Sequence, residues 1–396
     1  MHNICVVIDN DFYNDPRVMN EVKLLSEMFN VYVLCFKFTN AVTKHQMINS
    51  NVYVKQIYIN KKIKDILFGI QNTIPIYEWF MAYHIGKYIA EHNLRSIHLH
   101  DLYMSNIGRL VKKKTGVYFI LDLHENYPQA VLNYKWTKGF FKKLLARPHK
   151  WGKIEGRLLS YPDKIIVMLS ENKQLFLSRY SFLKEENFTI FPSLPDLDKF
   201  KSYPIDSTVF QKNDRFILLY YGIISARRGI LTSIEAVKKL KSKYPNVHLL
   251  LIGPIDRAEE SDFSSYMQDG NITHIKWIDI SLLPSYASIS DVCLNPVLKV
   301  AEYETTIAAK VYQYALLGKP QIVSDCKPLV DFVEENKCGI AFKGGDSDDL
   351  ALKIEHLVNN PDECKEYGQN GKQAIEKKYN IDVYKSAFLS TYKDLT

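Results

Sequence analysis

The feature that most constrains this chain is an alternation that occurs twice. Short, nearly continuous apolar runs are each followed by a helix-length segment. ICVVID (4–9), VYVLCF (31–36), VYVKQIYI (52–59), SIHLHD (96–101), VYFILDLH (117–124) and KIIVML (164–169) read as strands rich in β-branched and aromatic residues. Residues 16–29 and 75–92 read as helices, the first with Asp15 as N-cap and Pro16 at the first helical position. Strands that are apolar on both faces need cover on both, which predicts a parallel sheet between helical layers. The pattern breaks over 193–214, a polar stretch with two prolines that reads as a linker. It resumes with FILLYYG (216–222), a helix over 230–244, VHLLLIG (247–253), ITHIKWI (272–278), DVCLNP (291–296), a helix over 307–317, QIVSD (321–325) and CGIAF (338–342). The predicted fold class is α/β, with two doubly wound, Rossmann-like domains, 1–198 and 199–380. A ligand belongs at the carboxyl ends of the strands, in the crevice between the two halves.

Composition narrows the class further. The chain has 396 residues, 46% hydrophobic and 24% charged, an ordinary globular balance. No apolar run approaches the ~20 residues of a membrane span. MHNICVVIDND reads as a first strand and not as a signal peptide. Six cysteines (5, 35, 293, 326, 338, 364) form no C-x-x-C pair and no cluster with histidines, which argues against zinc or a disulfide framework and favours a reducing cytoplasm. The loop NDFYNDPR (10–17) lacks G-x-G-x-x-G, which counts against a dehydrogenase. A net charge of +7 is mild, and with no recognisable binding module a nucleic-acid partner is not expected.

Five stretches carry candidate chemistry. In AAKVYQYALLGKPQIVSD (308–325), Thr305 or Thr306 is the expected N-cap of a helix from Ile307 to Leu317, ended by Gly318. The free N–H groups of its first turn, with the helix dipole, favour an anion, and Lys310 adds a full charge. Gln313, one turn on and on the same face, can donate to and accept from a pair of hydroxyls. A diphosphate attached to a ribose fits that arrangement. In GIISARRG (222–229), Gly222 permits close backbone approach and Arg228 can fork onto phosphate oxygens, while Arg227 reads as a surface residue. His98 and His100 share one strand face with Asp101 at the tip; His124 and Glu125 end another strand. His98 reads as a core histidine. These groups are chemically suited to a metal, yet nothing in the sequence sets a coordination geometry, and no metal is expected. Asp15 has two open roles, helix cap or ligand contact, and Arg17 has two, local pairing or facing the ligand. Residues 134–157 hold eight Lys/Arg and one Glu, with Phe140, Phe141, Leu144 and Leu145 opposite the lysines. That suits an anionic membrane surface; a helix packed on its own domain is the other reading.

Four stretches together resemble the family-4 retaining glycosyltransferases of the GT-B fold, in their bacterial surface-polysaccharide branch: NDPRVMNEVKLLSEMFNVYVL, HLHD with LDLHENYP, YYGIISARRGILTSIEAV and AAKVYQYALLGKPQIVSD. The resemblance spans residues 5–345. It implies an acceptor-side first domain, a nucleotide-sugar-binding second domain, and a C-terminal helix within 381–396 that crosses back to the first. It implies transfer of a hexose from a nucleoside diphosphate sugar to a glycan or lipid-linked glycan, with retention and without a metal or cofactor. Arg228 and Lys310 then serve the departing diphosphate, with Gly222, Thr306 and Ile307 beside it. Gln313 stands where the family has a Glu on the ribose, and an amide bonds those hydroxyls without charge assistance. Thr305 stands where many members have a Glu facing the donor sugar, with Glu302 and Glu304 near enough to substitute. His124 is expected against the donor sugar, and Asp15, Arg17, Asp101 and Glu125 on the acceptor or sugar side. The implied setting is cytoplasmic, peripheral on the inner membrane face where 134–157 binds lipid. Two other functions share the fold: a non-hydrolysing nucleotide-sugar epimerase, which would recruit Asp101 and Glu125, and a catalytically weak partner subunit, consistent with the changes at Gln313 and Thr305.

Overall fold

A computed structural model of the chain describes residues 2–39, 49–133, 144–256 and 259–395. The chain divides into two compact units: Met1–Pro192 with Tyr384–Thr396, and Ser193–Val383. In the first unit the described residues form seven strands: β1 (His2–Val7), β2 (Phe29–Lys37), β3 (Val52–Tyr58), β4 (Ser96–His100), β5 (Tyr118–Leu123), β6 (Lys164–Val167) and β7 (Phe188–Ile190). All pair in parallel, in the order β3-β2-β1-β4-β5-β6-β7. The order reverses between β1 and β4, which places the switch point at the ends of those two strands.

Register decides which side chains meet. Val7 pairs with Leu99, Leu99 with Leu121, and Leu121 with Ile165, and this set joins Tyr77, Met81 and Phe119 in a fully buried core. The alternate positions project to the opposite face. There His100 pairs with Asp122, one pleat from His98, beneath the helix Pro16–Leu25. That helix starts where the sequence places it: Pro16 stands at its first turn and the Asp15 carboxylate accepts from the Val18 N–H. It ends at Leu25 and not near 29, because Ser26–Met28 turn the chain directly into β2 at Phe29. β7 has only three residues, too few for a periodic signal to register. The C-terminal segment completes this unit: Phe388 lies 4.5 Å from Phe191 between ring centroids, and the Thr391 and Thr189 hydroxyls are 2.7 Å apart.

The second unit has six parallel strands among its described residues: β8 (Phe216–Tyr221), β9 (Val247–Ile252), β10 (Ile272–Ile275), β11 (Val292–Asn295), β12 (Gln321–Ser324) and β13 (Gly339–Phe342). Their order is β10-β9-β8-β11-β12-β13, so the switch point lies between β8 and β11. β10 stops short of the expected 278, and Trp277 is exposed beyond it. Leu218, Tyr220, Leu249, Leu251, Val292 and Ile322 form the centre of its core. Two parallel α/β sheets of this kind make the GT-B fold, in agreement with the fold class read from the sequence.

The turn from β8 into the helix Ile230–Leu240 is tight. Gly229 has φ +71°, and a Cβ there would meet the Pro296 carbonyl oxygen at 1.6 Å, just past the end of β11. Both the backbone conformation and the contact exclude a side chain. Gly229→Ala is expected to lower unfolding stability by about 3 kcal/mol or more, read as the midpoint of urea unfolding. A loss below about 1 kcal/mol would show that the turn yields without strain.

Candidate functional site

Each unit presents a set of polar groups at its switch point. In the first unit, β1 leads to Asp9, whose carboxylate accepts from the hydroxyls of Tyr77 (2.9 Å) and Tyr103 (2.8 Å) and pairs with Lys64 at 3.0 Å. β4 leads to Asp101, a non-glycine residue at φ +73°. Such a conformation persists only where the surroundings hold it: the Asp101 N–H donates to the Asp122 carbonyl at 2.7 Å, and its carboxylate accepts from Tyr103 at 3.1 Å. β5 leads to His124, immediately past Leu123. Asp101, His124 and Glu125, with Phe68, Tyr103 and Tyr127, line a cavity of about 340 Å³.

Beneath the cavity lies a buried charged cluster. The Arg17 guanidinium donates to both oxygens of Asp122 at 2.8–3.1 Å and to the Phe191 carbonyl at 2.7 Å, and lies 3.0 Å from Glu21. His98 Nε2 and His100 Nε2 face Glu21 Oε2 at 3.8 and 3.9 Å, too far for a hydrogen bond. Burial sets the first term in every titration here. It pushes Glu21 well above the usual carboxylate range, with the neighbouring Asp122 charge adding to it, and it pushes His98 well below and His100 below the usual imidazole value. Burial also opposes the Asp122 charge, but Arg17 and His124 outweigh it and hold that carboxyl well down. For His124, burial disfavours the cation, yet Asp122 and Asp101 outweigh burial and raise its pKa to about 10. Glu21, His98, His100 and Asp122 bring potential metal-donor atoms within 4.8 Å of one another. The cation seated on both carboxylates of that set is Arg17.

In the second unit, β8 ends at Gly222 (φ +138°), where a Cβ would come within 3.6 Å of Lys310 Nζ. Lys310 is buried, 6% exposed, and its Nζ has no hydrogen-bond partner among the described residues. It rests 3.8 Å from the centroid of the Tyr220 ring, a cation–π contact. Arg228 lies beside the Tyr220 hydroxyl, and its Nε is likewise buried without a partner. Burial, with the Arg228 charge next, lowers Lys310 well below an ordinary ammonium. Two adjacent cationic groups without a carboxylate between them form a place where an anion would be welcome.

Several sequence expectations change in detail. The helix begins at Ala309, not Ile307, and Ala308 is its N-cap without a side-chain bond. Thr306 is not the cap because its hydroxyl donates back to the Glu302 carbonyl at 2.9 Å. Thr305 lies in the same turn segment, and Ile307 is buried at 3% exposure. Gln313 is half-buried in the helix, one turn from Lys310. Arg227 is no solvated surface residue: it pairs with Glu302 at 2.9 Å and donates to the Tyr303 hydroxyl at 3.1 Å. Glu302 is engaged by Arg227, whereas Glu304 accepts from the Lys327 N–H through Oε2 at 3.2 Å, at the start of the helix Lys327–Glu335, and its Oε1 has no partner among the described residues. Arg17 pairs locally with Glu21 and, 105 residues away, with Asp122, and is not in the cavity lining. Asp15 caps its helix. His98, expected in the core, is fully buried there. Residues 134–143 of the basic stretch lie outside the described residues; His149–Leu159 is a helix with Trp151, Glu155, Leu158 and Leu159 buried. The sequence reading passed over Asp122, Glu21, Tyr220 and Tyr392. For Asp122 a signal existed, since D-L-H places it on the same strand face as His124.

Residues 204–374 match the family described as glycosyl transferases group 1. The capsular polysaccharide biosynthesis glycosyltransferase CapM of Staphylococcus aureus is 26% identical over 238 residues, covering 57% of this chain and 60% of its own length. An uncharacterized glycosyltransferase of Methanocaldococcus jannaschii, MJ1059, is 24% identical over 209 residues and is covered over 48% of its length. The chain thus spans about half to three-fifths of the length of these curated relatives. Among solved structures, sucrose-phosphate synthase from Thermosynechococcus elongatus superposes with a TM-score of 0.77 at 19% identity, over 100% of this chain and 99% of its own. Anabaena Alr3699/HepE in complex with UDP-glucose gives 0.75 at 11% identity over 100% of both chains.

The first-unit cluster makes a pH-dependent statement. Because the folded pKa of His124 lies above its unfolded value, its stabilising contribution is full below about pH 6.5 and is lost as pH rises through about 10. Imidazole nitrogen NMR at about pH 8 is expected to show His124 protonated and His98 and His100 neutral. His124→Gln is expected to flatten the decline of urea stability across that window; an unchanged slope would refute the assignment.

Proposed function

We propose that this protein transfers a hexose from a nucleoside diphosphate sugar to a hydroxyl of a glycan or lipid-linked glycan, with retention of configuration and without a metal. One observation carries the donor half of this reading: the buried Lys310 and the half-buried Arg228 lie side by side at the β8 switch point, each with a buried nitrogen that has no partner among the described residues. A diphosphate supplies the missing counter-charge, and Gly222 leaves room for its oxygens at the backbone. The family match to 204–374 covers Gly222, Arg228, Lys310 and Gln313. Gln313 then bonds the ribose, and the N–H groups opening the helix Ala309–Leu316 add to the anion's field.

In the transfer itself, the bond from the anomeric carbon to the β-phosphate oxygen breaks, and charge grows on that oxygen. Lys310 and Arg228 are fixed before this happens, the condition under which electrostatic stabilisation is largest. The resemblance to retaining enzymes adds that the acceptor hydroxyl enters on the face the diphosphate leaves, with a phosphate oxygen taking its proton. The first-unit cavity, with Asp101, His124 and Glu125 in its wall, suits the hydroxyls of a sugar. A lipid-linked acceptor accords with an exposed apolar set in this unit: Ile63 and Ile66 beside Lys61 and Lys62, Trp79 and Tyr83, and Leu144 and Leu145.

Two measurements test this reading. Titration of UDP by calorimetry is expected to show proton uptake, because a bound anion returns Lys310 toward its ordinary pKa; affinity therefore falls as pH rises. Lys310→Ala should abolish the uptake and, like Arg228→Ala, reduce kcat/KM for hexose transfer by about 10²–10³. UDP and GDP both failing to bind, or transfer surviving both substitutions, would sink the donor assignment. For the lipid arm, sedimentation with phosphatidylglycerol vesicles at low salt is expected to carry the protein down and neutral vesicles to leave it in solution. Equal recovery from both would remove the membrane surface from the proposal.

A further inference from the structure

The buried cluster under His124 has no role in the transfer step so far, although it brings Arg17, Glu21, His98, His100 and Asp122 together out of solvent. Its geometry is directional. His124 Nε2 lies 3.2 Å from Asp122 Oδ2 and 3.0 Å from His100 Nδ1, so the Nε2–H is shared between two acceptors on the inner side of the ring. His124 Nδ1 is on the other side, 4.0 Å from Asp101 Oδ1, and both residues line the cavity. The inner side is rigid for stated reasons. Asp122 is fully buried and held by the Arg17 fork on both oxygens. Arg17 is itself fixed by the Phe191 carbonyl and lies over the Phe191 ring at 5.3 Å.

His100 is packed on the inner side as well. The Tyr392 hydroxyl lies 2.8 Å from His98 Nδ1, and the His98 ring stacks on His100 with centroids 4.5 Å apart. Both Nε2 atoms face Glu21 at 3.8 and 3.9 Å, and His100 Nδ1 lies within hydrogen-bonding distance of His124 Nε2. Helix, two strand ends and the C-terminal segment thus converge on one imidazole.

We propose that Asp122, clamped by Arg17, is the positioning residue for His124: it anchors the inner Nε2–H and so presents Nδ1–H to the cavity as a fixed donor toward substrate oxygen. This rests on the reading of that cavity as part of a glycosyl-transfer site. A buried carboxylate on the far nitrogen sets both the tautomer and the aim of a working histidine, and its removal leaves the ring free to turn. Arg17 and Asp122 are 105 residues apart in sequence, so the opening helix and β5 form one functional unit.

The test uses 15N-histidine-labelled full-length protein with Asp122→Asn, and with the double variant Arg17→Met/Asp122→Asn, which leaves no unpaired buried charge. The groups facing His124 are Asp122 from β5, Asp101 and His100 from β4, and Arg17 and Glu21 from the helix Pro16–Leu25. Expected in both variants is a fall of the His124 titration by more than one pH unit and loss of its imidazolium nitrogen shifts at about pH 8. Hexose transfer should drop about 10²–10⁴-fold in kcat with little change in KM for the donor, and Asp122→Glu should restore part of it. Unchanged His124 shifts in a folded double variant overturn the proposal, whatever the activity. If no sugar is transferred by the native protein while the shifts respond as stated, the functional reading fails and the positioning claim stands.

Discussion

The first unit depends on one buried ion pair. Asp122 sits on a central strand with no access to solvent, and a carboxylate there is tolerable only because Arg17 reaches it with two nitrogens. From that pair the rest follows in order. The ionised Asp122 makes His124 a cation, since it outweighs the burial that would strip the proton. The same burial, without an equal counter-charge, keeps His98 and His100 neutral. Glu21, squeezed between burial and Asp122, is driven toward its protonated form. Burial and one paired carboxylate together sort four neighbours into defined charge states.

The second unit reverses the arrangement. Its two basic side chains have no carboxylate partner among the described residues: Lys310 is held by the face of an aromatic ring, and the half-buried Arg228 stands beside the hydroxyl of the same residue, Tyr220. The neighbouring Arg227, one residue away, is fully matched by Glu302 and Tyr303. A single turn therefore separates a structural arginine from one whose charge is unspent. The first unit holds a balanced cluster of charges, and the second holds basic groups without a matching carboxylate among the described residues.

The sequence made much of this legible, for reasons that are local. Near-continuous apolar runs specify a parallel sheet because the periodicity of side chains acts within a few residues. Asp15 and Pro16 mark a helix start by satisfying backbone groups in their own turn. Lys310 and Arg228 could be singled out as neighbours because each follows a strand end, one in a glycine turn and one at a helix start. What was not legible depends on partners far along the chain. Whether Arg17 faces a ligand or a carboxylate is decided by Asp122, and no spacing rule connects the two. Arg227 reads as a surface residue in sequence, and only the distant Glu302 and Tyr303 show that it is paired. Thr306 looks like an N-cap until its hydroxyl is seen turned back to a carbonyl in the preceding turn. Tyr392 lies almost at the end of the chain, where nothing in its neighbours hints at a histidine 294 residues earlier.

That last contact explains why the chain's end belongs with its beginning. Residues Tyr384–Thr396 pack in the first unit through Phe388 and Tyr392, and the hydroxyl of Tyr392 lies 2.8 Å from His98 Nδ1. A segment needed only to cover apolar surface would be served by another phenylalanine. The hydroxyl adds a polar contact at the far side of the cluster: His98 stacks on His100, and His100 Nδ1 lies 3.0 Å from His124 Nε2. The chain's end thus closes on the same buried cluster that meets the imidazole at the cavity.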